Sequence, residues 1–459
     1  VDRKPQFRDD GVLHATINGH RFHLRRKDPA KDNFLWIDGR QPPIVLDRTA
    51  AEFVSHLIDA MWLHQRGDGD ESQAVTDYVV RKMTEKYSKG ILPWGRVKPE
   101  NILTDLNRLF GTLMAVADGK CPVEAGLGAR ELEYGKWIAP ARMDLALTYR
   151  CNLKCPKCYV GDRRIGRELG TAEWIKVYET LWKVGVPQVV FTGGEPTLRD
   201  DLVTLVAEAD EFVTGLVTNG TRLAELADAL HGASLDYAQV TIESFDPRIH
   251  DRVTCVEGSH AKTAAGIEKA LGIGMQVVTN TTLTKTNAAS FDQTIRWLHG
   301  LGITNIACNT LICSGHGVEH KKENGLDDEA LKNTLDSGCR TARELGIDLQ
   351  WYSPTCYHLG VDPTKMGLGI KTCSAAAHNM TVQPDGTVLP CQSWPDSVGN
   401  ILEDEWSTIW RHPTCVKLRD HLFRPEECRG CEHETTCGGG CPLDESPRTK
   451  NRGGKGASA

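Results

Sequence analysis

The run Cys-Asn-Leu-Lys-Cys-Pro-Lys-Cys at 151–158 sets Cys151, Cys155 and Cys158 in a C-x3-C-x2-C spacing. Three thiolates in so short a loop suit a metal cluster. A structural zinc site closes with four ligands. A [4Fe–4S] cube held by only three cysteines instead keeps one iron open for a ligand that takes part in chemistry. A redox or zinc loop of other origin is the plainer alternative. A second set lies far downstream: Cys373 and Cys391 are joined as C-x12-G-x4-C, with Gly386 in the turn Pro384-Asp385-Gly386, and Cys428-x2-Cys431-x5-Cys437-x3-Cys441 follows. A zinc ribbon on the last four would leave Cys373 and Cys391 without a role. Between the two sets stands Gly193-Gly194-Glu195-Pro196. Two glycines admit a ligand close to the backbone, and a carboxylate beside them can hold an ammonium group; alone, the segment is an ordinary turn.

Regular elements must carry these residues. Met143–Tyr149 alternates like a strand, so the three-cysteine loop sits at a strand's C-terminal end, where α/β barrels keep their chemistry. Further strands are predicted near 187–191, 213–218, 237–243, 275–283 and 305–312. Helices are predicted near 171–184, 199–211, 221–230, 260–272, 288–301 and 327–346. Six such β–α units predict a parallel sheet covered by helices. Gly193–Pro196 then follows the second strand, Thr218-Asn219-Gly220 closes the third and Glu243-Ser244 the fourth. Turn chemistry and helix capping are the bland reading of the last two.

Upstream, Val12–Leu24 reads as a β-hairpin turning at Asn18-Gly19, and short strands follow at 34–37 and 44–46. Asp47 caps a helix whose stripe runs from Ala50 through Phe53, Leu57 and Ile58 to Met61. A second helix is predicted at about 73–87, and a third is marked by Ile102, Leu106, Leu109, Phe110 and Leu113. Residues 118–142 read as a linker, and the tail after Glu445, basic and rich in Gly and Ser, as disordered.

The net charge of −7 gives no general attraction to nucleic acid or to an anionic membrane. No apolar run approaches the roughly 20 residues of a membrane span, and the start has no secretory h-region. Sixteen cysteines at metal-ligand spacings in a long chain then point to a reducing cytoplasm rather than to disulfides.

On C-x3-C-x2-C after a strand, with Gly-Gly-Glu-Pro one strand later, the chain resembles the radical S-adenosylmethionine (SAM) superfamily. The resemblance implies an open (βα)6 partial TIM barrel. In it Cys151, Cys155 and Cys158 hold the catalytic [4Fe–4S] cluster, Gly193, Gly194, Glu195 and Pro196 bind the amino end of SAM, and Asn219, Glu243 and Ser244 contact its methionine and ribose parts. The residue before the third cysteine is usually aromatic in that family; here it is Lys157, read as a surface lysine. The downstream cysteines match the SPASM extension, which carries auxiliary iron–sulfur clusters. The family's weave puts the first auxiliary cluster on Cys373, Cys391, Cys441 and an upstream cysteine, for which Cys356 is the candidate. The second takes Cys428, Cys431 and Cys437, with Asp444, His433 or Cys415 as candidates for its fourth ligand. Cys121, Cys255, Cys308, Cys313, Cys339 and Cys415 remain as buried free thiols.

The N-terminal pattern is similar to the winged-helix peptide-chaperone domain of pyrroloquinoline-quinone biosynthesis, the recognition element of ribosomally made, post-translationally modified peptides; a structural cap is its alternative. The layout is then 1–130 winged-helix-like, 131–350 partial barrel, 351–445 SPASM and 446–459 tail. The implied activity is an oxidoreductase's: an electron donor of the flavodoxin or ferredoxin type reduces the cluster, SAM is cleaved to a 5′-deoxyadenosyl radical, and a precursor peptide is cross-linked or oxidised. Maturation of a small cofactor such as a modified haem, or a non-catalytic electron carrier, are the competing readings. A sulfatase-activating maturase is disfavoured, because the position after the second SPASM cysteine is Gln392 where that group has Asp.

Overall fold

A computed structural model of the chain describes residues 12–28, 32–38, 44–64, 71–87, 97–120, 125–127, 138–163, 165–357 and 360–444. The basic tail and most of the expected linker lie outside these residues. The chain forms two compact units, divided near residue 133.

In the first unit β1 (Val12–Ile17), β2 (His20–Asp28), β3 (Asp32–Ile37) and β4 (Ile44–Leu46) form an antiparallel sheet in that order. Asn18 (φ 50°) and Gly19 (φ 83°) are both left-handed, as a tight two-residue hairpin turn requires, and bring Ile17 opposite His20. Three helices follow: α1 (Arg48–His64), α2 (Glu71–Tyr87) and α3 (Pro99–Ala117). Asp47 Oδ1 accepts the Ala50 N–H at 2.8 Å and so starts α1. One face of the sheet (Phe22, Leu24, Leu35, Ile37) packs in one core with Val54 and Ile58 of α1, Val79 and Met83 of α2 and Ile102 and Leu113 of α3. Each such burial is worth roughly 1.5–3 kcal/mol. Glu52, buried on α1, accepts hydrogen bonds from Lys86 Nζ and Tyr87 Oη, both at 2.6 Å, and ties α1 to the end of α2.

The second unit is built on a ten-stranded sheet. Its parallel strands are β5 (Arg142–Thr148), β6 (Gln188–Gly193), β7 (Val213–Thr218), β8 (Tyr237–Thr241), β9 (Gln276–Leu283) and β10 (Asn305–Thr310), the six expected. A seventh, β11 (Asp348–Trp351), extends the β10 edge. At the other edge β12 (Asn379–Val382) pairs parallel with β5, and β13 (Thr387–Leu389) and β14 (Gly399–Asn400) follow antiparallel. The C-terminal region thus shares the barrel's sheet, which its isolated cysteine spacings did not foretell. The helices are α4 (Thr171–Val184), α5 (Leu202–Ala207), α6 (Leu223–Gly232), α7 (Pro247–Thr254), α8 (Ser259–Gly272), α9 (Phe291–Gly300), α10 (Gly317–Asn324) and α11 (Asp328–Leu345). Helices α7 and α10 had no counterpart in the sequence reading. Both are short and mostly polar, so neither carries an apolar stripe long enough to show a period.

Strands β5 and β6 are buried almost throughout, whereas β8 and β9 alternate buried and half-exposed residues. Helix α8 packs on β9, so the half-exposed row, Gln239 and Thr241 of β8 with Asn280 and Thr282 of β9, faces the barrel interior. Val278, paired with Gln239, stands in the same row, which is otherwise polar at these positions. Among the described residues no helix is long and apolar enough to cross a membrane.

Candidate active site

Strand β5 delivers the three-cysteine loop. Cys151 is exposed, Cys155 and Cys158 are half-buried, and the Cys158 N–H bonds back to the Cys155 carbonyl at 3.1 Å. Lys154 N–H bonds to the Thr254 carbonyl at 3.0 Å, fastening the loop to the end of α7. Burial pushes the Cys155 thiol up to about 12, against the opposing pull of Lys157. Loading a cluster here therefore releases a proton.

Beside the loop the backbone of β6 comes close. Gly193 has φ +134°, and a Cβ there would sit 2.1 Å from the Thr148 carbonyl oxygen; at Gly194 it would sit 2.4 Å from that of Arg150. Only glycine fits this cradle. Glu195, however, does not point its carboxylate at a ligand. The side chain is fully buried: Oε1 accepts from Thr197 Oγ1 and Thr218 Oγ1 (2.5 and 2.7 Å), and Oε2 accepts from the Asn219 N–H (2.8 Å). It ties the ends of β6 and β7 together, with its carboxylate oxygens taken by these donors. Glu195→Ala is expected to cost roughly 1–3 kcal/mol for each donor left unpaired, read as a lowered urea midpoint of the anaerobic protein. Asn219 is half-exposed, and its Nδ2 donates to Asn152 Oδ1 in the cysteine loop at 2.8 Å. Ser244 is fully buried: its Oγ lies 3.1 Å from Ser290 Oγ and accepts the Asp246 N–H, so it closes the turn into α7.

Lys157 is not a surface lysine. Its Nζ lies 2.5 Å from Glu243 Oε1, with side-chain exposures of 9 % and 1 %. Glu243 Oε2 is buried without a hydrogen-bond partner among the described residues. Breaking a buried pair from one side leaves an uncompensated charge and costs about 3–5 kcal/mol. Lys157→Met should therefore destabilise by about that amount, and Lys157→Met/Glu243→Leu should recover most of it. Equal unfolding midpoints for the single variant and the parent would show the pair to be without weight.

The auxiliary cysteines group differently from the expectation. A small pocket is lined by Cys356, Cys428, Cys431 and Cys437, with Arg424, His433 and Glu434. Cys356 therefore lines the pocket of the second set. Asp444 and Cys415, considered as ligands there, lie elsewhere: Asp444 Oδ2 is 2.5 Å from Lys321 Nζ, and Cys415 is buried in the short helix Pro413–Arg419. A hydrogen bond from Cys356 holds the Cys437 thiol well below the usual range and raises Cys356 in turn. Cys441 is pushed up to about 11, by burial first and then by Cys391 and Asp444 nearby. Cys313, expected as an inert buried thiol, is half-buried 3.5 Å from Lys321 Nζ and close to Cys441. Its only sequence signal was its place just after a barrel strand. Cys308, Cys339 and Cys415 are buried as expected, Cys255 is exposed, and Cys121 lies outside the described residues.

Direct bonds join the two cysteine regions. Tyr159 Oη donates to Gln392 Oε1 at 2.8 Å, and Arg163 donates to the carbonyls of Gln392 and Trp394 at 2.9 and 3.2 Å. Ser314 Oγ donates to the Ser393 carbonyl at 2.8 Å, and the His316 N–H donates to that of Cys158 at 3.0 Å. The loop after β10 is thereby strapped to both.

A three-thiol loop at a barrel strand's end, beside a glycine cradle and bonded to the segment that follows Cys391, is the donor arrangement of an iron–sulfur protein. Residues 145–298 match the radical SAM superfamily, and residues 373–432 match SPASM, an iron–sulfur cluster-binding domain. The chain thus carries a region matching the radical SAM superfamily, followed by one matching a SPASM domain. It is 28 % identical over 314 residues to the PqqA peptide cyclase of Xanthomonas oryzae pv. oryzae (strain MAFF 311018), covering 66 % of this chain and 82 % of that one. Streptococcus suis SuiB bound to S-adenosylmethionine superposes with TM-score 0.59 at 16 % identity, over 95 % of both chains. SuiB bound to its precursor peptide SuiA gives 0.57 at 16 % identity, again over 95 % of both. Native anSMEcpe with AdoMet and the Kp18Cys peptide gives 0.52 at 17 % identity, over 65 % of this chain and 89 % of that one. At these identities the structural likeness establishes the fold.

Proposed function

We propose that the protein is a radical SAM/SPASM oxidoreductase that modifies a ribosomally made precursor peptide, installing a cross-link or another oxidative change. Cofactor and donor set fit each other: three thiols for one cube, a backbone cradle that excludes any Cβ, and a buried carboxylate oxygen, Glu243 Oε2, still open to a donor. When bound, the cluster and SAM supply a 5′-deoxyadenosyl radical able to take hydrogen from an unactivated carbon. The chain's own residues do the rest. Cys151, Cys155 and Cys158 hold the cluster. Backbone groups of 193–195 orient the amino end of SAM, Pro196 starts the turn that fixes them, and Asn219 and Glu243 offer polar contacts. The half-exposed row Gln239, Thr241, Asn280 and Thr282 lines the space left for substrate and holds its polar backbone.

The auxiliary cysteines Cys356, Cys373, Cys391, Cys428, Cys431, Cys437 and Cys441 supply two further clusters that accept or relay the substrate's electron. The domain boundaries are 1–130, 131–350 and 351–445, followed by the tail, with the first domain gripping the peptide's leader. A flavodoxin- or ferredoxin-type protein serves as electron donor in the cytoplasm. Kinship in sequence to a peptide cyclase is the observation that carries the choice of substrate. The test is anaerobic incubation of the reconstituted protein with SAM, dithionite and candidate precursor peptides. Expected are 5′-deoxyadenosine, methionine and a peptide lighter by hydrogen. Vigorous 5′-deoxyadenosine formation that no candidate peptide stimulates, with no peptide product, would count against it.

A further inference from the structure

Cys356 stands in the segment after β11, about seventy residues ahead of the Cys428–Cys441 run, yet the fold threads it into that run's pocket. Cys437 Sγ is gripped by the backbone on both sides of Cys356: it accepts the Tyr357 N–H at 3.4 Å and donates to the Thr355 carbonyl at 3.3 Å. Cys356, Tyr357 and Cys437 form one buried cluster. Gly440 abuts the same point, where a Cβ would stand 3.5 Å from the Cys356 Cβ. Around the pocket, Cys428 and Cys431 complete a set of four thiols, and Arg424 adds a cation that offsets thiolate charge. The other cysteines of the C-terminal region, Cys373, Cys391, Cys415 and Cys441, do not line it.

We propose that Cys356 is the fourth ligand of the auxiliary cluster held by Cys428, Cys431 and Cys437, making that site an all-thiolate cubane closed to substrate. Four thiolates at one pocket are the donor set a closed [4Fe–4S] cluster takes. Such a site relays an electron and offers no iron for a substrate to bind. The ligand set is knit across the fold: one donor arrives directly from the last parallel strand of the barrel, so that loading this cluster pins β11 to the C-terminal cysteines. His433 lines the same pocket and is the competing donor, its ring stacked edge-on against Tyr357 at 5.7 Å.

The inference rests on the C-terminal region binding iron–sulfur clusters, and the test separates the two. In a Cys151→Ala/Cys155→Ala/Cys158→Ala background only auxiliary clusters report. Iron content and the electron paramagnetic resonance spectrum of the reduced protein are compared for that parent and for versions with Cys356→Ala, Cys356→Ser, His433→Ala, Cys428→Ala or Cys373→Ala added. The serine variant preserves volume in case alanine disturbs folding. Expected is loss or displacement of one auxiliary signal in both Cys356 variants, the same signal that Cys428→Ala removes and Cys373→Ala spares, with up to about four irons lost per chain; loss of the signal that Cys373→Ala removes would overturn the assignment. The other auxiliary signal stays as internal control, and His433→Ala matches the parent. Unchanged spectra and iron in the Cys356 variants, or the same displacement produced by His433→Ala instead, would overturn the assignment. A parent without auxiliary iron would overturn the cluster reading itself.

Discussion

Replacing Cys151, Cys155 and Cys158 together by alanine is expected to take 5′-deoxyadenosine formation below detection while most of the iron stays bound. Three cubanes carry about twelve irons per chain, so about eight should remain. The reason is positional: these thiols stand on one loop at the end of β5, and the auxiliary thiols lie in the C-terminal region. Among the neighbouring polar groups, Glu195 is saturated by Thr197, Thr218 and Asn219, and Lys157 is bound to Glu243. The substitutions should be mild structurally, since Cys151 is exposed and the other two half-buried. The measurement is product chromatography of anaerobic, dithionite-reduced protein alongside iron and sulfide analysis. SAM cleavage undiminished in the triple variant would refute the assignment of the loop, and loss of all iron would show that the clusters are not independently held.

The barrel was legible because its strands repeat at regular intervals with helical stripes between, and because its ligands are contiguous in sequence. Cys151, Cys155 and Cys158 share one loop, so spacing alone reports their proximity. What stayed hidden was long-range. Strand β12 joins β5 from more than two hundred residues away, and a four-residue strand carries no period that could announce its partner. Cys356 was a ligand candidate only through the resemblance, and which pocket it lines is decided by how the segment after β11 runs against Gly440 and Cys437, which no spacing encodes.

Side-chain direction was the other blind spot. Glu195 and Ser244 were identified in the right turns, yet both point inward, because donors waiting on adjacent strands and helices satisfy them better than solvent can. Lys157, with charge and no aromatic ring, reads as surface until Glu243, eighty-six positions on, is seen to be its counter-ion. Sequence position fixes which residues reach a barrel's mouth; the competition among nearby hydrogen-bond partners fixes which of them remain available there.

Removing the N-terminal unit, residues 1–133, is expected to separate radical generation from peptide processing. SAM cleavage without peptide should persist, because every cluster cysteine and the glycine cradle lie in the second unit. Peptide turnover should fall by roughly two to four orders of magnitude, the effective-concentration advantage that a tethered binding site confers. On that reading the leader adds as a further strand to the antiparallel sheet, whose outer strands β1 and β4 each keep one edge unpaired among the described residues. The apolar faces of α1, α2 and α3 are consumed within their own unit, where Phe22, Leu24 and Leu35 meet Ile58, Met83 and Leu113. On the recognition reading, solubility and cluster content should hold after deletion. A cap would behave otherwise, losing both together as apolar surface is uncovered. Iron analysis, 5′-deoxyadenosine assay and leader-peptide binding on the truncated and full-length proteins distinguish the cases. A soluble, cluster-replete truncation that still processes its peptide at the full-length rate would defeat the recognition role and return the substrate question to the small cofactors.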